Sequence, residues 1–312
     1  MGGGLMQLVA YGAQDIYLTG NPQITFFKVV YRRHTNFSME TIQQTINGTD
    51  TANGGTGTVT ISRNGDLVHK VYVTSSGNNI IDGDEIVSEV ELEIGGQRID
   101  RHFKEWNQVW NELSTDESKA IGLKSMKGCI GNSGTGGGGP GMVQIPLNFW
   151  FCRNPGLALP LIALQYHEVK LKFTWGAASI VTSDSSNVTC KVMCDYIYLD
   201  TDERRRFAQV SHEYLIEQIQ KDTLGGTNSE KLNFNHPVKE LIWLSSAANG
   251  YLNAQLKLNG HDRFSSQEEE YFQLRQPFDY HTAVPKQNLP VASTNGDLSQ
   301  LRTIFDGAGV TT

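Results

Sequence analysis

Apolar and polar residues alternate along much of this chain. In the segment EIVSEVELEI (85–94), three glutamates share one face and four apolar residues share the other: Ile86, Val90, Leu92 and Ile94. The segments VKLKFTW (169–175) and LNAQLKL (252–258) repeat the pattern. A period of two is typical of β-strands that bury one face, so the chain is predicted to form antiparallel sheets packed as a sandwich.

Turn and helix signals lie between the predicted strands. Asn64-Gly65 separates the runs TVTIS and LVHKVYV and predicts a two-residue hairpin, because both residues tolerate positive φ. From Asp100 to Leu113, apolar residues recur at steps of three and four, which predicts one short helix at an end of the sandwich. The tract GNSGTGGGGPG (131–141) predicts a surface loop. Further strands are predicted at 214–220, 238–245 and 251–258.

Two segments resemble each other at an offset of 164 residues: ELEIGGQRID (91–100) and QLKLNGHDRF (255–264). In both, a strand ends at a turn that contains glycine, and an irregular segment with aromatic residues follows. This weak repeat predicts that one structural unit occurs twice.

Composition and charge exclude several classes of protein. The chain has 312 residues, 38% of them hydrophobic, which is enough for one large or two medium domains. Its 26 basic and 33 acidic residues give a formal charge of −7. A protein that coats nucleic acid needs clustered basic residues, so this function is not expected. The basic cluster Arg204–Arg206 has acidic neighbours. No apolar run of transmembrane length occurs, and the N-terminus MGGGLMQLVAYG predicts a glycine-rich arm rather than a secretory signal.

Residues that could carry chemistry are scattered. The eight histidines form neither an HxH nor an HExxH motif, and no nucleotide-binding or nucleophile motif occurs. We therefore expect no catalytic residue, no metal and no cofactor. Cys190 and Cys194 would lie about 13 Å apart on one strand, too far for a disulfide, so reduced thiols are expected.

Three triplets fit the N-glycosylation pattern. They begin at Asn36, Asn47 and Asn187. Because such triplets are common by chance, each is only a candidate glycosylation site.

Two long segments resemble a known family almost residue for residue. They are YGAQDIYLTGNPQITFFKVVYRRHTNFSME (11–40) and VQIPLNFWFCRNPGLALPLIALQYHEVKLKFTW (143–175). Both are similar to segments of the major capsid proteins of nucleocytoplasmic large DNA viruses, the double jelly-roll lineage of algal and giant viruses. The two motifs also occur in the expected order.

The resemblance implies an all-β double jelly roll: two eight-stranded antiparallel sandwiches, the second incomplete, with short helices in loops. We expect an N-terminal arm at 1–24, the first jelly roll at 25–210 and the start of the second at 211–312. The resemblance fades after residue 285. Either the chain is a fragment of a longer protein, which we favour, or a partner supplies the late strands.

The implied function is structural: trimeric, pseudo-hexameric capsomers of an icosahedral shell around a large double-stranded DNA genome. Expected partners are other copies of the chain, neighbouring capsomers and minor capsid proteins, and glycans are possible ligands. We expect no direct contact with nucleic acid and only an indirect relation to an internal membrane. The expected location is the virion, assembled in the host cytoplasm. The alternatives are a minor capsid protein and a glycan-binding jelly-roll module, for which Glu268–Phe272 and Asp279-Tyr280 are candidate residues.

The resemblance also implies coarse roles for some segments. Residues 11–22 would be an arm that ties neighbours together, residues 26–30 would open the first strand, and the basic run 32–34 would bridge to an adjacent element. Residues 149–160 would form a packed corner in which Cys152 is buried and backbone carbonyls hold Arg153.

Overall fold

The structure is a computed structural model that describes residues 34–77, 80, 83–128, 142–182, 188–225, 229–244 and 251–285, with 13, 21, 23 and 25–27. The chain divides into two compact units, residues 1–36 and 37–312, and the second contains the elements given below. Among the described residues, no helix combines the length and apolar character needed to cross a membrane.

Two antiparallel five-stranded sheets form the centre of the second unit. Sheet I has the order β1-β10-β4-β7, with β8 also on β4, and contains β1 (Phe37–Gln44), β4 (Leu67–Ser76), β7 (Met142–Pro146), β8 (Leu159–Pro160) and β10 (Thr189–Leu199). Sheet II has the order β2-β3-β9-β5-β6 and contains β2 (Ile46–Gly48), β3 (Thr56–Thr60), β5 (Val87–Ile94), β6 (Gln97–Phe103) and β9 (Val169–Trp175). Without the short strands β2 and β8, four strands remain in each sheet, the predicted eight.

One apolar core lies between the two sheets. Strand β9 alternates as the sequence predicts, with Val169, Leu171, Phe173 and Trp175 buried. The largest fully buried side chains come from both sheets and from the segment after β7: Trp175, Tyr196, Phe149, Phe151 and Phe173. Two buried polar atoms bond to backbone carbonyls, because Trp175 Nε1 donates to Thr49 at 2.7 Å and the Tyr196 hydroxyl donates to Ser62 at 2.7 Å.

The predicted hairpin at Asn64-Gly65 is wrong. Strand β3 before it lies in sheet II and strand β4 after it lies in sheet I, so the chain crosses between sheets here. Gly65 instead allows close packing, because a Cβ on it would meet the Cβ of Tyr196 at 2.8 Å. Local turn propensity cannot distinguish a hairpin from a crossing, since the difference lies in which distant strand each run pairs with.

The internal repeat corresponds to two hairpins with the same turn geometry. Strands β5 and β6 are joined by Gly95 and Gly96, with φ of 61° and 86°. Strands β12 (Lys257–Leu258) and β13 (His261–Asp262) are joined by Asn259 and Gly260, with φ of 52° and 81°. Positive φ at both central residues is the type I′ arrangement that glycine and asparagine favour.

The helices are α1 (Lys104–Ser114), α2 (Glu117–Lys127), α3 (Trp150–Arg153), α4 (Ala178–Val181), α5 (Thr201–Gln209) and α6 (Gln276–Tyr280). Short 3₁₀ turns occupy Gly83–Glu85 and Pro155–Leu157, and a π-helical turn occupies Tyr271–Arg275. The predicted helix over 100–113 begins four residues late, because Asp100 to Phe103 complete β6 opposite β5. Helices α2 and α5 lie outside the predicted helix. The N-cap of α5, Asp200, accepts a hydrogen bond from the Glu203 N–H at 3.0 Å.

The strands predicted after residue 210 are largely wrong. The described parts of 214–220 and 238–245 have no strand, and 251–258 contains only β11 (Asn253–Ala254) and β12. Strand β11 pairs with β14 (Gln267–Glu268). Alternation is a local property, whereas a strand needs a neighbour for its backbone hydrogen bonds. Among the described residues, no strand lies beside 214–220 or 238–244.

Candidate assembly surfaces

Large apolar side chains are exposed on many of the described residues after α5. Leu215 is 92% exposed and Leu252 is 82% exposed, and the same region exposes Val210, Val238, Leu244, Leu258, Phe278 and Tyr280. Isolated exposed apolar residues are normal on a monomer, but this density is typical of a surface that another protein segment covers. We call these residues the apolar segment surface.

A buried carboxylate joins residues 217–221 to strand β6, and we call this contact region the junction. Asp100 Oδ1 accepts hydrogen bonds from the N–H of Ile219 at 3.0 Å and of Arg101 at 2.8 Å. Its Oδ2 lies 2.8 Å from Nε2 of His102, and both side chains are 1% exposed. His102 stacks on Phe149 with ring centroids 4.3 Å apart. Strand β6 places Asp100 and His102 on one face because they are two residues apart.

An arginine from the corner at 149–160 also contacts the junction. The Arg153 guanidinium lies over the Trp110 ring at 4.1 Å, its Nε donates to the Asn148 carbonyl at 3.1 Å, and it forms an ion pair with Glu217. Lys239 pairs with the other oxygen of Glu217. The expected carbonyl contact is therefore present, but the carboxylate and the indole ring were not foreseen, because both come from distant parts of the sequence.

Electrostatics at the junction favour the ionised form of Glu217. Partial burial opposes ionisation, but the hydrogen bond from Lys239 and the charge of Arg153 outweigh it and lower the pKa of Glu217 below its usual value. Glu105 behaves similarly. Burial opposes ionisation there too, and a backbone N–H and Lys221 at 3.1 Å together lower its pKa.

We expect the junction to weaken in acid. A glutamate whose pKa is lower in the folded state than in the unfolded state, where it is about 4.3, stabilises the fold at any pH above the unfolded-state pKa. This stabilisation is lost as the pH falls through the folded-state pKa. Glu217→Gln should therefore raise amide exchange at 217–221 at pH 6, relative to intrinsic rates, and make it less pH-dependent. Hydrogen exchange with mass spectrometry measures this. The control is Glu213→Gln, since Glu213 is exposed on the same segment; an equal effect of both substitutions would contradict the prediction.

Two of the residues considered for glycan binding, Phe272 and Asp279, contact other side chains of the same region. Phe272 contacts the rings of Trp243, Tyr251, Phe264 and Tyr271, with centroid separations of 4.9–6.5 Å. Asp279 lies 3.8 Å from Arg275, one helical turn away. Phe272 is thus part of a small aromatic cluster, whereas Tyr280 is exposed. The rings of this cluster contact one another at the surface, and Trp243 is 41% exposed.

Three of the four cysteines lie among the described residues, and all three are free and buried: Cys152, Cys190 and Cys194. Burial raises the pKa of Cys152 to about 12 and of Cys190 to about 11, and also raises that of Cys194. The expectation of unpaired thiols is confirmed for these three, and Cys129 lies outside the described residues. Within the described ranges, no group of three or more His, Cys, Asp or Glu side chains could hold a metal ion.

These thiols should be inert in the folded protein. A thiol reacts as the thiolate, and raised pKa values together with burial leave almost none of it at pH 8. Iodoacetamide at pH 8 should label Cys152, Cys190 and Cys194 only after denaturant is added. Peptide mass spectrometry of both samples checks this, and labelling of Cys152 at the same rate in each would contradict it.

The other predicted residues have mixed outcomes. Asn36 lies just before β1 and Asn47 lies in β2, and both are exposed, while Asn187 is outside the described residues. Phe26 and Phe27 form an exposed turn rather than a strand. Most of the predicted arm at 11–22 lies outside the described residues. The same is true of Val29, Val30, Arg32 and Arg33. Arg204 forms an ion pair with Asp66 at 3.0 Å.

Comparison with known proteins decides the family. The family model described as the major capsid protein N-terminus matches residues 25–200, the span that contains both sheets. The chain belongs to the major capsid protein family. It is 54% identical to the major capsid protein of Pyramimonas orientalis virus, over 91% of this chain and 78% of that protein. It is 41% identical to that of Paramecium bursaria Chlorella virus 1, over 89% of this chain and 78% of that protein.

A solved structure supports the same assignment. The chain aligns with a protein of the PBCV-1 virus capsid at a TM-score of 0.69 and 35% identity, covering 84% of this chain and 78% of that one. The relatives are structural capsid proteins of large double-stranded DNA viruses, not enzymes. The all-β double jelly-roll class agrees with this match, and the function is structural.

Proposed function

We propose that this chain builds trimeric, nearly hexagonal capsomers that tile the facets of an icosahedral virus shell. One observation carries the proposal: the sandwich of two five-stranded sheets is followed by residues that expose the apolar segment surface. Such a surface is costly in water, and at roughly 25 cal/mol per Å² its burial favours association. With two jelly rolls in each copy, a trimer with threefold symmetry would contain six jelly rolls in a nearly hexagonal outline. Blocks of this shape can fill a plane without gaps.

The proposal assigns three parts to the chain. Residues 1–24 are an arm, residues 25–210 hold the first jelly roll, and residues 211–312 begin the second. The partners are other copies of the chain, neighbouring capsomers and minor capsid proteins, and assembly takes place in the host cytoplasm. Neither nucleic acid nor a membrane is contacted directly. Asn36 and Asn47 are sufficiently exposed to carry glycans, and Asn187 is the third candidate.

Native mass spectrometry and sedimentation test the trimer. The purified chain should show a trimer that Leu215→Glu or Leu252→Glu weakens, because either change places a charge on the apolar segment surface. The matched control is Tyr166→Glu, since Tyr166 is 93% exposed on the first sandwich. A chain that stays monomeric at all concentrations, or that Tyr166→Glu weakens equally, would refute the proposal.

A further inference from the structure

Asparagine followed by glycine occurs six times in this chain, and four of these pairs lie among the described residues. The four are Asn47-Gly48, Asn53-Gly54, Asn64-Gly65 and Asn259-Gly260. Because glycine has no Cβ, its backbone nitrogen can closely approach the side chain of the residue before it. The asparagine of each pair is exposed, so exposure does not distinguish the four. They differ in the hydrogen bonds and backbone pairing that hold the side-chain amide and the glycine nitrogen.

The pair Asn53-Gly54 is held at both groups. Asn53 Oδ1 accepts a hydrogen bond from the Gly55 N–H at 3.1 Å, which fixes the side-chain amide. The Gly54 N–H donates to the Gly176 carbonyl at 2.9 Å, so the glycine nitrogen is engaged as well. Both hydrogen bonds must break before this nitrogen can reach the carbon of the side-chain amide.

Two more pairs are held by their backbone conformation. Asn47 lies in β2 opposite Thr58 of β3, and this pairing keeps its backbone extended. Asn259 has a φ of 52° in the turn of the β12–β13 hairpin, whose strands pair on either side of it. To bring the glycine nitrogen onto the asparagine side chain, the asparagine backbone must rotate, and both arrangements oppose that rotation.

The pair Asn64-Gly65 has none of these restraints. It lies in the bend where the chain crosses from β3 to β4, outside any strand or helix. Among the described residues, the Asn64 side chain makes no hydrogen bond and nothing accepts one from the Gly65 N–H. Of the four pairs, this one therefore has the amide and the nitrogen that are most available to react with each other.

We propose that Asn64-Gly65 is a site of spontaneous deamidation, at which the asparagine converts to isoaspartate and aspartate as the protein ages. This inference is independent of the proposed capsid function, since it rests only on the geometry of the first sandwich. The crossing between the two sheets then carries a modification that changes the length of its backbone.

The reaction needs only water at neutral or mildly basic pH. The Gly65 nitrogen forms a bond to Cγ of Asn64 as the Cγ–Nδ2 bond breaks, and Nδ2 leaves as ammonia with the proton from the glycine. The product is a five-membered succinimide ring. Water then breaks one of the two ring bonds to the Gly65 nitrogen. Cleavage of the bond to Cγ gives aspartate, and cleavage of the bond to the main-chain carbonyl carbon gives isoaspartate.

The crossing has little room for a longer backbone, because it is tied down on both sides of the pair. Before it, the Ser62 carbonyl accepts a hydrogen bond from the Tyr196 hydroxyl at 2.7 Å. After it, the Asp66 N–H donates to the Ile197 carbonyl at 3.0 Å. A Cβ on Gly65 would lie only 2.8 Å from the Cβ of Tyr196. Isoaspartate adds a carbon to the main chain at this point, so we expect these contacts to loosen and the sandwich to become less stable.

Peptide mass spectrometry of the purified chain, incubated at pH 8, tests the site. Replacement of the amide NH₂ by a hydroxyl raises the peptide mass, and an isoaspartyl methyltransferase labels the isoaspartate product. Asn53-Gly54 is the matched control within the same molecule, since its asparagine is also exposed. Because two hydrogen bonds must break there first, Asn64 should deamidate about tenfold or more faster than Asn53. A rate at Asn64 no faster than at Asn53 would overturn the inference.

Two substitutions test the structural consequence. Asn64→Gln should remove the reaction, because the longer side chain must close a less favourable six-membered ring. Asn64→Asp carries the charge of the product on a normal backbone. The thermal midpoint of the unsubstituted chain should fall by about 2 °C or more as isoaspartate accumulates, whereas aged Asn64→Gln and fresh Asn64→Asp should keep the original midpoint. An unchanged midpoint in isoaspartate-containing protein, or an equal loss in fresh Asn64→Asp, would refute the loosening of the crossing.

Discussion

Replacing Trp175 with alanine is expected to lower the free energy of unfolding of the first sandwich by about 3–5 kcal/mol. Trp175 is 1% exposed, stacks on Phe173 with ring centroids 4.9 Å apart and donates its indole N–H to Thr49. Truncation would leave a large cavity between the sheets and an unpaired carbonyl. Because the free energy of unfolding of a whole domain is only about 5–15 kcal/mol, this single change removes a large part of it.

Urea denaturation followed by far-ultraviolet circular dichroism measures the loss. Trp175→Phe is the matched control, because it keeps most of the ring volume and removes the hydrogen bond, at a smaller cost of about 1–3 kcal/mol. If Trp175→Ala lowered the free energy of unfolding by no more than Trp175→Phe, the prediction would be wrong, because the indole ring would then contribute little to core packing.

Amide hydrogen exchange should divide the chain into two classes. Amides in β4, β9 and β10, which lie inside the sheets, should exchange only through unfolding of the whole sandwich. Residues 211–244 should exchange orders of magnitude faster, since their described part forms no strand or helix. Within that segment Ile219 should be slower than its neighbours, because its N–H is bonded to the buried Asp100.

Exchange at pH 7 on the unassembled chain checks this prediction. The hairpin β12–β13 is an internal reference, because it is a regular hairpin outside the sandwich and should be intermediate between the two classes. Equal protection in 211–244 and in β9 would contradict the prediction and would mean that these residues pair in a sheet.

Several features of the fold could be predicted from local sequence. Alternation placed Val169, Leu171, Phe173 and Trp175 on the buried face of β9, because side chains on a strand point to opposite faces in turn. The repeat around Gly95-Gly96 and Asn259-Gly260 corresponds to two hairpins with similar positive φ values, since few residues adopt that conformation readily. Such preferences belong to a residue and its near neighbours.

Features that depend on distant partners could not be predicted in this way. Asn64-Gly65 has hairpin composition but lies between two sheets. Residues 214–220 alternate, yet form no strand among the described residues. The junction joins Asp100 to Ile219 and Arg153 to Glu217, and no local pattern links such separated positions.

The sequence by itself therefore determined the β class, the buried faces of β5 and β9 and, through its two long motifs, the capsid family. The tertiary structure alone decided which strands share a sheet and which carboxylates become buried. The physical reason is that local propensity sets the conformation of a segment, whereas burial and backbone pairing depend on segments that are remote in sequence and adjacent in space.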